Sequence, residues 1–334
     1  MGGSPYLDPH VAESYDRLAV PIQFEAPARD LVSMLDVAPG SAALDAGTGS
    51  GAVAMHLRRA VGPNGFVAGI DPSVAMLRAA RNRGVRAIAA ARMPGLPFRD
   101  EVFEAVAASF VVSHVDDYAR ALADMARVCK PGGRVGVTAW DGRANPIAEA
   151  WREGARTVAR GRQLARALHD VIRWADWLSV PGNLAAAVHA AGLPVVDIKT
   201  RTYLVRVRSC DYLTMKAASV EGVLLRRMLA PRAWRRLSSD LTETFRCRFG
   251  EVVEYSSAAH AVVGQKQGPS VPGGVYRLET VTGPLSVEMR TTTGSPPTRS
   301  ERDRSSQSRF PVRHAETRQV QGEWNDEEIS TPDV

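Results

Sequence analysis

Ala43-Leu44-Asp45-Ala46-Gly47-Thr48-Gly49-Ser50-Gly51 is an apolar run that breaks into a glycine-rich turn, and Ala52 to Arg59 after it carry a helical pattern. Glycines at such a turn let the backbone bend sharply and approach a ligand with no Cβ in the way. The helix that follows presents free N–H groups and a partial positive charge, which favour an anionic group. A glycine loop alone is also what any tight strand-to-helix turn shows. The next apolar run, Phe66 to Ile70, separates the two readings, because it ends at Asp71, 20 residues past Gly51. A carboxylate there is placed to accept hydrogen bonds from ribose hydroxyls.

Outward from this unit, strand-like runs alternate with helical patterns, the appearance of a parallel sheet covered by helices. Strands are expected at Ala42 to Ala46, Phe66 to Ile70, Arg86 to Ala90, Ala105 to Phe110 and Arg134 to Ala139. Between the last two, Tyr118, Ala121, Leu122, Met125, Val128 and Cys129 recur at helical spacing, and Pro131-Gly132-Gly133 should stop that helix. Pro146 to about Trp177 reads as helical and Arg-rich. A helix around Asn183 to Ala191 follows, then an extended run, Pro194 to Val207, and a last strand at Ser256 to Val263.

Residues 268 to 334 differ in composition, and Thr291 to Arg309 holds no aliphatic or aromatic residue. Such a segment cannot offset its ordering entropy, so 268–334 is expected to be a disordered tail behind a domain spanning 1–267. The whole chain, 334 residues with 45% hydrophobic and 23% charged residues, has the composition of a globular protein. No apolar run is long enough to span a bilayer. The opening MGGSPYLDPH has neither a basic start nor an apolar segment, so no secretory signal is expected. Cys129, Cys210 and Cys247 lie far apart with no CxxC, which argues against a disulfide framework or zinc cluster and for a cytoplasmic protein. The net charge of +6 comes from 42 basic residues, only four of them Lys. Clusters such as Arg226, Arg227, Arg232, Arg235 and Arg236 read as solvated helix faces rather than a nucleic-acid surface.

The loop spells GxGxG rather than the GxGxxG of dinucleotide folds, and the acidic Asp45 precedes it. A carboxylate there would repel a pyrophosphate but suits an ammonium or a sulfonium. At this point the sequence resembles the class I S-adenosylmethionine-dependent methyltransferases, and within them the small-molecule group that includes the ubiquinone/menaquinone-biosynthesis type. The resemblance rests on Tyr15-Asp16, Leu44 to Gly51, Gly69 to Ser73, Leu96-Pro97-Phe98, Val102 to Val106 and Arg127 to Gly133, in that order over residues 12 to 140. From 141 to 267 the likeness is loose. It implies a Rossmann-like α/β fold with a seven-stranded sheet, helices on both faces, an antiparallel edge hairpin made by the last two strands, and helical cap elements at about 146–248.

The resemblance also implies roles. Asp45, Gly47, Gly49 and Gly51 would hold the methionine part of S-adenosylmethionine, and Asp71 the ribose. Pro72 and Met76 would pack near the adenine, and Ser109 would line the methyl group. Where the family usually has Gly-Asp-Ala with an adenine-binding Asp, this chain reads Ala91-Arg92-Met93, so that acceptor is missing and Met93 is left to supply a backbone contact.

Methyl transfer from a sulfonium is an in-line displacement that positioning alone can accelerate greatly, so a dedicated base is optional. His114, after the fourth strand, is the candidate base, against the simpler reading of a loop-packing histidine beside Asp116 and Asp117. Tyr15 and Trp140 are candidates for the rim of an acceptor pocket. Tyr212 and Lys216 spell the YxxxK of short-chain dehydrogenases, but the TGxxxGxG loop those enzymes resemble is absent, and the pair reads as exposed helix neighbours. No His and carboxylate spacing suggests a metal site. The expected activity is methyl transfer to an O, N or C nucleophile of a small molecule, and the Arg-bearing insert points to an acceptor with an acidic group. The alternatives are a non-catalytic S-adenosylmethionine-binding protein, an RNA methyltransferase and a nicotinamide enzyme.

Overall fold

A computed structural model of the chain describes residues 5–143, 145–158 and 161–268. The first five strands are Ala42–Ala46 (β1), Phe66–Asp71 (β2), Ala87–Ala90 (β3), Phe103–Ser109 (β4) and Cys129–Trp140 (β5). All five are parallel. Val195–Arg208 (β6) and Val252–Gln265 (β7) complete a seven-stranded sheet of order β3-β2-β1-β4-β5-β7-β6, with β7 antiparallel to both neighbours. The expected fold class is therefore borne out. The last two strands are neighbours as expected, but three helices separate them in sequence.

Alternation along β1 decides which side chains meet which layer. Leu44 and Ala46 face a core shared with Leu122 and Met125 of Tyr118–Val128 (α5) and with Leu184 and Val188 of Pro181–Ala190 (α9). Ala43 points the other way, into a core with Leu31 and Leu35 of Glu25–Leu35 (α2) and Val53, Ala54 and Leu57 of Ala52–Val61 (α3). Each fully buried leucine contributes roughly 1.5–3 kcal/mol, which holds both helical layers on the sheet. Asp45 shares the parity of Ala43 and so turns toward α3.

A third core lies beyond the sheet. β7 pairs with β5 only over Ala259 to Gln265, while Val252 to Ala258 pair with β6 alone. This two-stranded extension presents Val205, Val207, Val253 and Tyr255 to Trp151, Leu225, Leu237 and Phe245. Those belong to Pro146–Val158 (α6), Val220–Met228 (α11) and Pro231–Phe249 (α12). Gly161–Val171 (α7) and Ser209–Ala217 (α10) complete this helical cluster, whereas Ala175–Leu178 (α8) and α9, also within the expected cap range of about 146–248, pack on the sheet core.

Two local expectations are corrected. Pro131-Gly132-Gly133 does not stop α5, which ends at Val128. The triplet lies inside β5, in a register irregularity where Phe103 pairs with Cys129 but Ala105 pairs with Arg134. A bulge tolerates a proline that cannot donate to the ladder. Tyr212 and Lys216 are not exposed: Tyr212 is buried in the third core, stacked on Phe245, and the Lys216 side chain is 20% accessible. Beyond Gly268 the expected tail lies outside the described residues.

Ahead of β1 a strap runs across the C-terminal ends of the strands. It comprises a short 3-10 turn, Pro5–Leu7, then Pro9–Ser14 (α1) and a π-helical stretch Tyr15–Phe24, and it leads into α2, which packs on the sheet face. Asp8 starts α1 by accepting from the His10 N–H (2.9 Å), with Pro9 in the first turn. Wide turns of this kind are rare and recur at functional sites.

Candidate active site

The carboxyl ends of β1, β2, β4 and β5 meet under the strap. At β1 the glycine loop is held from three directions. Gly47 and Thr48 donate their N–H groups to the Ile70 carbonyl (2.9 and 2.8 Å), and Gly51 donates to the Thr48 carbonyl (2.8 Å). Gly47, Gly49 and Gly51 have φ of 82°, 52° and 92°, which side-chain-bearing residues rarely adopt. A Cβ on Gly47 would lie 2.5 Å from the Val111 side chain, whereas one on Gly49 would meet only Tyr15 Cε1, at 3.9 Å. A side-chain carbon at Gly49 would thus be in ordinary contact with the Tyr15 ring, which stands directly over the loop.

Asp45 and Asp71 frame that space. Asp45 is buried, and its Oδ2 accepts from Thr48 Oγ1 (2.7 Å) and the Ala54 N–H (2.9 Å), tying loop to helix. Its Oδ1 receives no donor among the described residues. Burial raises its pKa to about 7 despite those two bonds, and nearby Asp71 adds to the rise. Asp71 accepts from the Gly49 N–H (3.0 Å) and, through its other oxygen, from the Ser73 N–H (2.8 Å). Burial raises its pKa as well, against the two backbone hydrogen bonds. The two carboxylates are thus coupled through the loop, and the residues expected to hold methionine and ribose form one hydrogen-bonded unit.

The other expected residues divide. Ser109, at the end of β4, bonds through Oγ to Thr138 Oγ1 (3.0 Å). Met76 is buried beneath Ser73, whose hydroxyl caps Val74–Asn82 (α4). Met93 is buried in the core shared with α5, so its side chain packs inward. Pro72 is exposed. Arg92, in the place of the missing adenine acceptor, is exposed too. Asp124 and Arg127 hold the loop beyond it: Asp124 Oδ2 accepts from the Gly95 and Leu96 N–H groups (both 2.7 Å), and Arg127 donates to the Phe98 carbonyl (2.8 Å).

Tyr15, His114 and Trp140 are brought together by rings that the sequence reading did not single out. Trp140 stacks on Phe110 (centroids 4.1 Å apart), Phe24 meets both edge-on, and Tyr15 leans on Phe24 (5.0 Å). Tyr6 packs on Tyr15 (5.4 Å) and on His114 (6.0 Å). Phe110 has φ of 56°, an uncommon conformation for a bulky residue. Its N–H is pinned by the Thr138 carbonyl and hydroxyl (3.2 and 3.1 Å). Its only sequence signal is its place after β4, and Tyr6 has none.

His114 is half-buried, its N–H donates to the Val111 carbonyl (2.9 Å) while its ring has no hydrogen-bond partner among the described residues, and burial lowers its pKa to about 4. It is therefore neutral near pH 7 and a weak base. Burial and the Asp71 charge push Tyr6 up to about 12, and Tyr15 is raised well above its usual value by burial, Tyr6 and both aspartates. Both tyrosines stay protonated. The strap that carries them is latched to α4: Arg83 Nε donates to Asp16 Oδ1 (2.6 Å) and its Nη2 to the Asp16 carbonyl (3.0 Å), while the Ser73 hydroxyl donates to the Tyr6 carbonyl. Among the described residues no group of three or more His, Cys, Asp or Glu side chains is placed to hold a metal, and no helix is long and apolar enough to cross a membrane.

Residues 44–137 match the family described as methyltransferase domain. The resemblance read from the glycine loop and its partners is thus borne out over that stretch. The chain is 37% identical over 135 residues to a demethylmenaquinone methyltransferase of Bacillus cytotoxicus, a match covering 37% of this chain and 56% of the relative. It is 37% identical over 156 residues to an uncharacterized 37.1 kDa protein in transposon TN4556 of Streptomyces fradiae, covering 42% of this chain and 45% of that one. The chain thus spans about half the length of the curated relatives it matches. Among solved structures it is similar to a putative type II methyltransferase from Anaeromyxobacter dehalogenans, with a TM-score of 0.48 and 18% identity over 73% of this chain and 95% of that one.

Proposed function

We propose that this chain, whose residues 44–137 match a methyltransferase domain, transfers a methyl group from S-adenosylmethionine to a nucleophile of a small molecule. The observation that carries the reading is the single network of Asp45, the glycine loop and Asp71, under the Tyr15 ring. The residues present fit that cofactor. Asp45 Oδ1 is without a donor and suits its ammonium group, Asp71 keeps lone pairs for ribose hydroxyls, and a Cβ-free loop admits close approach. Bound there, the cofactor supplies an activated methyl group on sulfur.

The chain's own contribution is positioning and exclusion of water. The strap and the rings of Tyr15, Phe24, Phe110 and Trp140 wall the site, so a nucleophile held at about 3–3.5 Å in line gains most of its rate from orientation. Neutral His114 can accept a proton from an acceptor hydroxyl through a ring nitrogen, and its low pKa makes it a modest base at most. The match to demethylmenaquinone methyltransferases supports an apolar or aromatic, quinone-like acceptor. Three free cysteines support a reducing compartment, the cytoplasm.

Calorimetric titration of the full chain with S-adenosylmethionine, S-adenosylhomocysteine and NADH tests the reading. Micromolar binding of the first two, with none of the third, is the expected outcome. Failure of both adenosyl compounds to bind the folded protein would overturn it.

A further inference from the structure

Ser109 and Thr138 are register partners near the ends of β4 and β5. Both lie on the face of the sheet that carries Asp45 and meets α2, because Ala107 and Gly136, two residues before them, pack there. β1 pairs Asp45 with Ala107, so Ser109 stands two residues farther along the strands, level with Gly47. Trp140 lies two residues beyond Thr138 on the same face. Thr138, at 3% exposure, therefore sits between the glycine loop and the stacked rings of Phe110 and Trp140.

Its hydroxyl serves both sides. Thr138 Oγ1 accepts from the Phe110 N–H (3.1 Å) and lies 3.0 Å from Ser109 Oγ, and among the described residues no other group bonds to it. A hydroxyl has one proton and two lone pairs. The amide can only donate, so it takes a lone pair, and Ser109 Oγ is the one acceptor for the Thr138 proton. If Ser109 donated instead, that proton would be buried and unpaired. The bond therefore runs from Thr138 to Ser109 and turns a lone pair of Thr138 toward Phe110. The Ser109 proton has no acceptor among the described residues and is left for a ligand.

We propose that Thr138 is a positioning residue of the methyl-transfer site, whose hydroxyl holds the Phe110–Trp140 wall beside the glycine loop. This rests on the methyl-transfer reading for the use of the wall, and on the hydrogen bonds alone for the hold. Phe110 needs holding because its φ of 56° is one that a bulky residue rarely adopts. In that conformation its ring meets Trp140 (4.1 Å) and Phe24 (5.4 Å). The Thr138 carbonyl shares the same amide (3.2 Å), but any residue at 138 offers a carbonyl, whereas the hydroxyl needs Thr or Ser.

Shape and hydroxyl can be separated at this position. Thr138→Val keeps the branched shape and loses the hydroxyl, and Thr138→Ser does the reverse. Near-UV circular dichroism of the full chain reads the wall, with the Trp140 band assigned from Trp140→Phe, and calorimetry with S-adenosylhomocysteine reads the site. Thr138→Val should lose most of the Trp140 band and weaken S-adenosylhomocysteine about fivefold, the value of one neutral hydrogen bond, while Thr138→Ser keeps the band and stays within about twofold of the parent. Ser109→Ala breaks the chain of bonds from its other end and should shift the band in the same direction by less. It decides the matter if Thr138→Val does not fold, and an unshifted band then overturns the proposal. A parent-like band in Thr138→Val, a loss in Thr138→Ser as full as in Thr138→Val, or a lost band with unchanged affinity also overturns it. A parent protein that binds no S-adenosylhomocysteine would overturn the methyl-transfer reading instead, and the band would still show whether Thr138 holds the wall.

Discussion

The glycine-loop edge of the sheet and the helical cluster of α6, α7 and α10 to α12 reach order by opposite means. At the edge, backbone geometry does most of it: left-handed glycines, N–H groups spent on Ile70 and Asp71, and a Phe110 forced out of the usual conformations by Thr138. In the cap the order comes from side-chain volume, with Trp151, Leu225 and Phe245 filling a core that β6 and β7 extend beyond β5 to reach. Backbone requirements restrict which residues are allowed at each position and so leave a motif. Volume can be met by many side chains and leaves none.

The strongest way to break this contrast is Phe245→Ala. Phe245 is fully buried, so its loss should cost about 3–5 kcal/mol, read as a drop in chemical-denaturation stability. If edge and cap are separable, S-adenosylhomocysteine affinity should change less than about threefold. A collapse of that affinity would show that the cap core shapes the glycine loop after all.

Asp71→Ala sharpens the contrast from the other side. It removes the proposed ribose acceptor and strands the N–H groups of Gly49 and Ser73, and should weaken S-adenosylmethionine binding by roughly 1.5–3 kcal/mol. Calorimetry reads this directly, and unchanged affinity would count against the ribose assignment.

The smallest effect is a matter of pH. Asp45 has a folded pKa of about 7, above its unfolded value, so its contribution to stability falls as pH rises from about 4 to 7. His114 has a folded pKa of about 4, below its unfolded value, so its contribution rises over about 4 to 6.5. The two slopes oppose each other, and the parent protein should show a flattened profile there. Asp45→Asn should tilt stability upward with pH and His114→Asn downward, each by about 1 kcal/mol or less per pH unit, since His114 is half-exposed. Denaturant midpoints at pH 5 and 7 distinguish the two signs.

The same contrast explains what could be read from the chain. β1 and β3 fall within a residue of their expected positions, because short apolar runs between turn signals locate parallel strands well. Asp45, the glycines and Asp71 were legible because each is fixed by a backbone need. Glu104 accepts from the Ala42 N–H (2.8 Å) while pairing with Lys130, a contact that no motif announces. Tyr6, Phe24 and Phe110 were not legible, since they meet only when the strap is laid over the strand ends. Tyr212 and Lys216 were read as exposed neighbours because their spacing says nothing of the core beneath them or of Glu221, which pairs with Lys216 across a turn (3.2 Å).

The helical run from Pro9 to Leu35 passes from α1 through the π-helical turns into α2 with no loop between, and α2 is anchored by Leu31 and Leu35 in the sheet core. A cover joined to its scaffold in this way does not swing on a hinge. Uncovering the site would require the Tyr6 and Asp16 hydrogen bonds to break and helical turns to unwind, a local unfolding step rather than a hinge motion. Turnover would then carry the thermal signature of melting a few helical turns, and amide exchange along residues 5–24 would report the rate of entry.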